Sequence, residues 1–427
     1  MLSIHFIRED PEAVRKAIAD KGVDLDLDRL LELDRRVVAL IRETEGLAAE
    51  KNALSRSIKK ASKEERPGLI ARSKELGGQK GTLDEELKGA RADLAEMLWR
   101  TPNIPFAGAP VGPGADDNVV LRQVGDRPAF PFEPRDHVEL IRRNGWGEFD
   151  RVTQVSGSRT YALKGDLARL ELALHLWVLD KLADRGFTSI SVPALASEEA
   201  FYGTGHFPGG VEDAYHLPAD EKYLAGTAEI VLTSLHRGEI QDGADLPIRY
   251  AGFSSCFRRE AGSFGRDVRG LLRVHQFLKV EQYVICRNDP EESARWHAEL
   301  LDGAEEVLRD LELPYQVIEC STGDMGLGKV RMNDLETWVP SLGKYRETHS
   351  CSTLHEWQAR RANLRYRDED GKVRYVHTLN NTGLATPRLL APLLENHQHA
   401  DGGVRLPEAI RPYMGGRERL EPAAPPG

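Results

Sequence analysis

Between residues 30 and 97, apolar positions recur alternately three and four residues apart in two runs of equal length. The positions of the two seams are Leu30, Leu33, Val37, Leu40, Thr44, Leu47, Lys51, Leu54 and Ile58, and then Leu69, Ser73, Leu76, Lys80, Leu83, Leu87, Ala90, Leu94 and Met97. A polar stretch with a break at Pro67-Gly68 separates them. This spacing is typical of a coiled coil. The sequence therefore predicts an antiparallel helical hairpin over residues 28–98, with seams roughly 43 Å long at ~1.5 Å per residue.

The pattern changes after residue 100. Residues 101–118 contain four prolines and three glycines, which predicts a linker. Beyond it, helical patterns at 167–184 and 290–311 alternate with strand-length apolar runs. Those runs are 223–224, 280–286, 315–320 and 374–379. We therefore predict an N-terminal domain over 1–100, a linker over 101–118, a mixed α+β domain over 119–420 and a flexible tail over 421–427.

Several features bear on where the protein works. The longest fully apolar run, residues 37–41, is far shorter than the ~18 residues that cross a bilayer. The first residues do not combine a basic start with an apolar stretch, so no secretory signal is visible. The four cysteines are scattered without a CxxC pair, which favours reduced thiols. We expect a cytoplasmic protein without a membrane segment.

The formal net charge of −10 argues against a nucleic-acid partner, because phosphate contacts need clustered Lys and Arg. The charge is unevenly distributed, however, since residues 51–80 carry nine Lys and Arg against three acids, a net +6. This tip is either the solvated outer face of a coiled coil or a surface for a polyanion. The candidate cations are Lys51, Arg56, Lys59, Lys60, Lys63, Arg66, Arg72 and Lys74.

Three short patterns carry little weight. Residues 323–329 match the phosphate-loop pattern GxxxxGK, but Val330 lacks the hydroxyl that would hold Mg²⁺ and a strand-like segment follows, which favours a plain turn. The glycines of 203–209 are misplaced for a dinucleotide fingerprint. His349, Cys351 and His355 have possible ligand spacing, but a structural zinc site needs four ligands and usually a closely spaced pair. Zinc is not favoured.

Residues 256–281 are the most informative stretch. Two strand-like ends flank a middle rich in Gly and Arg, which predicts a hairpin with an extended basic loop. Arginine suits phosphate because its planar fork donates two hydrogen bonds and keeps its charge. Phe277, on the returning strand, can stack on a base. Composition alone leaves open whether this is a nucleotide site or a surface loop.

These residues resemble motif 2 of the class II aminoacyl-tRNA synthetases, and most closely the seryl family. Residues 165–193 are similar to motif 1, and 383–388, Gly-Leu-Ala-Thr-Pro-Arg, are similar to motif 3. Residues 227–229 match the serine-binding TxE loop, and 347–361 match the family's Glu-x-x-Ser-Cys-Ser…Gln-Ala-Arg-Arg block. The resemblance covers essentially the whole chain. It implies an antiparallel sheet flanked by helices, a homodimer formed through the motif 1 region with Pro193, and a hairpin that grips serine tRNA.

The resemblance also implies the reaction. The serine carboxylate attacks the α-phosphate of ATP, giving seryl-adenylate and diphosphate, and the 3′ end of the tRNA then takes the seryl group and releases AMP. Arg258, Glu347 and Arg388 are the implied catalytic residues, with Mg²⁺ on Glu347 and Ser350. The implied serine site comprises Thr227, Ala228, Glu229, Arg258, Glu281, Asn380 and Thr382. The implied ATP site comprises Arg258, Arg259, Glu260, Val274, Phe277, Glu347, Thr348, His349, Ser350 and Arg388.

The chain departs from the family pattern in a few places. Thr348-His349 replaces Val-Ser, and Asn381-Thr382 replaces Gly-Ser. The resemblance is to the zinc-free form, so no zinc is expected, and it leaves open whether selenocysteine tRNA is also charged. Two alternatives are a paralogue that loads a carrier protein, which usually lacks the arm, and a dimeric RNA-binding regulator with an inactive site. The retained arm and site residues disfavour both.

Overall fold

The computed structural model describes residues 1–262 and 270–423. The chain forms two compact units. One consists of Leu2–Ala19 and Val23–Pro102, and the other contains Met1, Asp20–Gly22 and the chain from Asn103 onward. Within the described residues, none of the helices has the length and apolar character that a membrane span requires.

The N-terminal unit is helical. Its helices are α1 (Ile4–Glu9), α2 (Pro11–Asp20), α3 (Leu27–Lys60) and α4 (Arg66–Arg100). Helix α3 begins where the Asp26 side chain accepts a hydrogen bond from the Arg29 amide, as an N-cap does. The fully buried seam residues are Leu30, Leu33, Val37, Leu40, Leu76, Leu87 and Leu94. Every other predicted seam position is half-buried, so the predicted hairpin is confirmed.

The connection between the two long helices lies earlier than the predicted Pro-Gly break. It spans residues 61–65, and Pro67 lies inside the first turn of α4. Proline is tolerated there because the first amides of a helix have no intrahelical acceptor. The carboxylate of Glu65 accepts hydrogen bonds from the Ser62 amide and hydroxyl, which closes the turn.

The second unit carries eight further helices within the described residues. They are α5 (His137–Asn144), α6 (Asp150–Ser156), α7 (Gly165–Asp184), α8 (Glu198–Thr204), α9 (Glu229–Ser234), α10 (Pro290–Asp310), α11 (Glu356–Ala362) and α12 (Leu390–Asn396). The two helical patterns predicted at 167–184 and 290–311 correspond to α7 and α10. Their apolar faces pack on the main sheet in one large core that includes Leu174, Leu300 and Leu384.

An eight-stranded sheet organises this unit. In chain order its strands are β1 (Val119–Val124), β4 (Thr188–Ser191), β9 (Ile248–Phe257), β10 (Gln276–Cys286), β11 (Tyr315–Glu319), β12 (Arg331–Val339), β13 (Lys344–His355) and β16 (His377–Thr386). Across the sheet the order is β1-β11-β12-β13-β16-β10-β9-β4. All neighbours are antiparallel except β4 and β9. The predicted antiparallel α+β architecture is confirmed.

Smaller sheets surround the main one. They are β2 (Gly147–Glu148) with β3 (Ala162–Leu163), β5 (Leu195–Ser197) with β7 (Lys222–Leu224) and β6 (Tyr215–Leu217), β8 (Ile240–Asp242) with β14 (Arg365–Arg367) and β15 (Val373–Tyr375), and β17 (Val404–Arg405) with β18 (Arg419–Leu420). The single strand predicted at 374–379 is wrong. The chain leaves β15 at Val376, whose amide bonds the Leu364 carbonyl, and then enters β16.

The predicted hairpin over 256–281 is formed by β9 and β10, with Phe257 opposite Gln276. Arg258 directly follows β9, and its amide still bonds the His275 carbonyl. The middle of the predicted basic loop, residues 263–269, lies outside the described residues.

Candidate active site

Two adjoining cavities open on one face of β9, β10, β13 and β16. The larger has a volume of about 340 Å³ and the smaller about 60 Å³. Four side chains line both of them: Arg258, Lys279, Glu347 and Thr382. The cavities are therefore two compartments that meet at a shared wall of two cations, one carboxylate and one hydroxyl.

The returning limb of the β9–β10 loop and the end of β16 form the smaller cavity. Its walls include Glu260, Leu271, Leu272, Arg273, Val274, Phe277, Thr348 and Arg388. The guanidinium of Arg258 lies 5.4 Å from the centre of the Phe277 ring. The Glu260 carboxylate accepts a hydrogen bond from Arg273 at 2.5 Å. The structure thus gathers most of the predicted ATP residues around one apolar slot with a cationic rim.

The larger cavity contains the predicted serine residues. Thr227, Glu229, Glu281, Ser350, Asn380 and Thr382 line it, together with Thr204, His206, Lys329, Trp357 and Gln358. Register explains why residues distant in sequence meet here, since Glu281 on β10 lies directly opposite Thr382 on β16. The sheet brings the two side chains together from segments about a hundred residues apart.

Glu229 is held by two amide donors. Its Oε1 accepts hydrogen bonds from Gln358 Nε2 at 2.6 Å and from Asn380 Nδ2 at 2.7 Å. Burial raises the pKa of Glu229, and the Gln358 hydrogen bond opposes that rise. A fixed, enclosed carboxylate of this kind is suited to a cationic amine, whose charge would favour its ionised form.

Glu281 is also enclosed, at 2% exposure. It forms an ion pair with Lys279, whose Nζ also donates to Thr227 Oγ1 at 3.3 Å. Burial raises the pKa of Glu281, and the Lys279 charge acts against that rise. The pair offers a polar contact within reach of the cavity while keeping the buried charge compensated.

Glu347 and Arg388 form an ion pair beside the shared wall, with Arg388 Nη1 3.0 Å from Glu347 Oε2. Desolvation works to raise the pKa of Glu347, but the charges of Arg388 and Arg258 outweigh it and hold the pKa below its ordinary value. Asp334 lies opposite Ser350 on the neighbouring strand. Burial and the negative charge of Glu347 raise the pKa of Asp334 well above its ordinary value.

Glu347 and Ser350 fit a magnesium ion by their chemistry. Both line the larger cavity, and they offer carboxylate and hydroxyl oxygens, the donors that Mg²⁺ prefers. A separate group with ligand atoms within 4.8 Å of one another is Cys320, Asp324 and Asp334. Burial raises the pKa of the Cys320 thiol far above its ordinary value, which favours the protonated form.

The His349, Cys351 and His355 side chains have different surroundings. His349 is buried beside Thr348, and burial lowers its pKa to about 4. Cys351 Sγ lies 3.8 Å from His297 Nδ1, and the His355 ring stacks on His377. Their sequence spacing therefore does not correspond to a shared ligand cluster.

Three residues implied by the resemblance line neither cavity. Ala228 packs in a core cluster with Leu232 and Tyr283. The Arg259 amide bonds the Asp213 carbonyl beside the loop. His349 lies beneath the cavity wall, with its neighbours Thr348 and Ser350 at the surface of the site.

Sequence reasoning assigned no site role to Lys279, His206, Lys329 or Gln358, all of which line the larger cavity. Two of them lay in patterns given little weight. Lys329 is the lysine of the GxxxxGK match, and the segment does form a turn followed by a strand, as expected. His206 lies within the glycine-rich segment 203–209, and burial lowers its pKa to about 3. Neither sequence pattern indicates that its Lys or His side chain lines a cavity.

The candidate cations of the hairpin tip are exposed, apart from the half-buried Lys51. Arg72 forms solvent-exposed ion pairs with Glu50 at 3.2 Å and with Glu75 at 3.0 Å. The other seven cations named above leave the tip with a net positive surface.

Two protein-family models match this chain and identify its class. Residues 214–397 match the family described as the tRNA synthetase class II core domain for G, H, P, S and T, and residues 1–105 match the seryl-tRNA synthetase N-terminal domain. The antiparallel sheet is that of a class II aminoacyl-tRNA synthetase core.

Full-length relatives narrow the class. The serine–tRNA ligase of Deinococcus radiodurans is 57% identical over 420 residues, which cover 98% of this chain and 99% of the relative. A seryl-tRNA synthetase structure from Pyrococcus horikoshii, complexed with ATP, superposes with a TM-score of 0.91 at 38% identity and covers 99% of this chain and 100% of that one. A cytoplasmic serine–tRNA ligase from Naegleria fowleri, in complex with AMP, gives 0.87 at 30% identity, with 99% coverage of both chains. The chain belongs to the seryl-tRNA synthetases, and its activity is the ATP-dependent ligation of serine to tRNA.

Proposed function

We propose that ATP occupies the smaller cavity, that serine occupies the larger one, and that seryl-adenylate forms at the wall they share. The observation that carries this assignment is that Arg258, Lys279, Glu347 and Thr382 line both cavities. A reaction between a carboxylate and an α-phosphate needs cations where two anions approach, and this wall supplies two. Both attacking groups belong to substrates, so positioning and charge neutralisation provide the catalysis.

The serine pocket follows from the enclosed carboxylates. Glu229, fixed by Gln358 and Asn380, receives the serine ammonium together with Thr227. Glu281 and Thr382 receive the side-chain hydroxyl. Alanine would leave these buried groups unpaired, and a site built this way rejects such an analogue by a factor on the order of 10⁴.

On the ATP side, Phe277 stacks on the adenine, and Glu260 and Val274 line its edge. Arg258 holds the α-phosphate and the serine carboxylate, and Arg388 holds the γ-phosphate. Glu347 and Ser350 are the residues that would hold Mg²⁺, which supplies further neutralisation of the phosphate charge when bound. The ion pair between Arg388 and Glu347 keeps both side chains oriented before ATP enters.

The arm serves the second step of the reaction. Its exposed net positive tip suits the phosphates of serine tRNA. The retained arm also argues against a paralogue that loads a carrier protein. The enzyme acts as a cytoplasmic homodimer, and two exposed leucines of α7, Leu172 at 60% and Leu176 at 54%, support a partner surface at the motif 1 helix.

Serine-dependent exchange between diphosphate and ATP tests the assignment of the two cavities. We expect Glu281→Ala and Thr382→Ala to raise the KM for serine at least tenfold, with a smaller effect on the KM for ATP and with ATP binding still measurable. The exposed Glu369→Ala is the matched control. Unchanged serine kinetics in both variants would place the pocket elsewhere, and an absence of serine-dependent exchange in the wild type would refute the proposal.

A further inference from the structure

A buried histidine contacts the wall of the smaller cavity from behind. His137 is the first residue of α5 and is 5% exposed. Its Nε2 lies 3.2 Å from the backbone amide of Leu271, which donates to it. Leu271 lines the smaller cavity, and the next three residues do so as well. The imidazole is therefore one residue removed from the proposed ATP site without facing it.

The other side of the imidazole is fixed by Glu395 on α12. Glu395 is fully buried, and its Oε1 accepts from the His137 backbone amide at 3.0 Å and lies 2.7 Å from His137 Nδ1. Its Oε2 accepts from the Ser341 amide at 2.9 Å. Because the Leu271 amide donates to Nε2, that nitrogen carries no hydrogen, and the ring proton is on Nδ1. Nδ1 then donates to Glu395 Oε1, so the tautomer and the loop contact are interdependent.

The chain approaches this histidine unusually closely. Gly270 has a φ of +78°, and a Cβ atom added to it would lie 2.3 Å from His137 Nε2. Only glycine combines that backbone conformation with that spacing. One residue beyond Leu271, the carbonyl of Leu272 accepts a hydrogen bond from Arg388 Nε at 3.2 Å. The returning limb of the loop is thus held at consecutive residues, by His137 from behind and by Arg388 from the cavity.

We propose that His137, oriented by Glu395, is a positioning residue for nucleotide binding: its Nε2 fixes the limb 270–274 as the wall of the ATP cavity. This inference rests on the proposed assignment of the smaller cavity to ATP. His137 touches no reacting atom, so its loss acts through the loop and not through the serine pocket.

The two amide residues make a matched pair of variants. In His137→Gln the terminal amide reaches the position of Nε2 and its oxygen can accept from Leu271, whereas His137→Asn keeps a donor toward Glu395 and loses that acceptor. We expect His137→Asn to raise the KM for ATP in serine-dependent diphosphate exchange by roughly 3- to 10-fold, the effect of one lost hydrogen bond. The KM for serine should stay within twofold, and His137→Gln should stay within twofold of wild type for both substrates.

The outcomes separate this inference from the function on which it rests. An unchanged KM for ATP in His137→Asn would overturn the positioning role. Equal increases in the KM for ATP and the KM for serine in both variants would overturn it as well. In either case, serine-dependent exchange by the wild-type enzyme would still support the proposed site. Hydrogen exchange of the wild-type enzyme without ATP provides a test that needs no variant. The Leu271 amide should exchange slowly, and exchange at the rate of a free amide would overturn the proposal.

Discussion

The arm and the active site place their charges in opposite ways. The tip of the arm keeps most of its cations and acids exposed, as in the pair between Arg72 and Glu50, whose side chains are 47% and 51% exposed. The active site encloses Glu229 and Glu281 and compensates each with a specific donor. Exposed charges act weakly, additively and in a salt-dependent manner, whereas enclosed ones act strongly and as a unit. The difference predicts how substitutions in each region behave.

The largest effect is expected at the shared wall. Replacing Arg258 with Gln removes a cation that we propose to contact both substrates, and preorganised donors of this kind are worth about 10²–10³ in rate. We expect serine-dependent diphosphate exchange to fall by about that factor. The exposed Arg237→Gln should fall less than twofold. If the exchange rate fell equally and only slightly in both variants, the predicted difference between enclosed and exposed cations would be wrong.

The next effect is a pH dependence. Burial raises the pKa of Glu229, so this carboxyl takes up a proton at a pH where an ordinary glutamate, near 4.3, is still ionised. The proposed contact of Glu229 with the serine ammonium requires the ionised carboxylate, so below the raised pKa the affinity for serine should fall about tenfold per pH unit. Calorimetric titration with serine measures this, and an affinity that stays flat down to pH 4.3 would contradict it.

At the turn of the arm, the pKa of a carboxyl group is shifted in the opposite direction from that of Glu229. Hydrogen bonds from the Ser62 amide and hydroxyl lower the pKa of Glu65 at the turn. A raised carboxyl pKa in the folded state, as at Glu229, makes the ligand-free fold lose stability as pH rises from the unfolded pKa to the folded one. A lowered pKa, as at Glu65, contributes stability that is lost as pH falls through the folded pKa.

A smaller effect is expected from the tip of the arm. Replacing Lys59, Lys60 and Lys63 with Gln should weaken tRNA binding several-fold and reduce the slope of log affinity against log salt by about 2–3. Diphosphate exchange should not change, because the tip belongs to the other unit of the chain. Filter binding at several salt concentrations measures the slope. An unchanged slope would mean that the basic tip is only a solvated face.

The smallest effect is expected at the exposed ion pair of the arm. Glu50→Gln should change the free energy of unfolding by less than about 1 kcal/mol. Denaturant titration of the full chain gives this value, with Leu76→Ala as the contrast because that seam residue is 1% exposed. Truncating a buried leucine costs about 2–5 kcal/mol. Similar losses in the two variants would contradict the weak role of exposed charges in the arm.

Periodicity and local motifs made much of the fold predictable. The seam from Leu30 to Met97 repeats a helical spacing that any buried stripe must have, so the sequence alone was sufficient to predict the hairpin. The connection lies inside the predicted polar stretch 59–68 but ahead of Pro67, because this proline is compatible with a helix start as well as with a turn. The strand over 374–379 was wrong because local apolarity does not show that Val376 lies between two sheets.

The candidate site was predictable where a family motif assigns a residue to it, whereas Lys279 and Gln358 line the larger cavity with no role assigned from the sequence. Gln358 donates to Glu229 from 129 residues away in sequence. His137 is 134 residues from Leu271, and no spacing rule connects them. Such contacts depend on three-dimensional packing, which a one-dimensional pattern does not contain.

The wall shared by the two cavities has a thermodynamic consequence. Because Arg258, Lys279, Glu347 and Thr382 border both compartments, a ligand in one compartment changes the electrostatic field and the side-chain positions that the other ligand encounters. Occupancies of the two compartments are then linked, and linkage is reciprocal. Whatever factor ATP applies to the dissociation constant of serine, serine must apply to that of ATP.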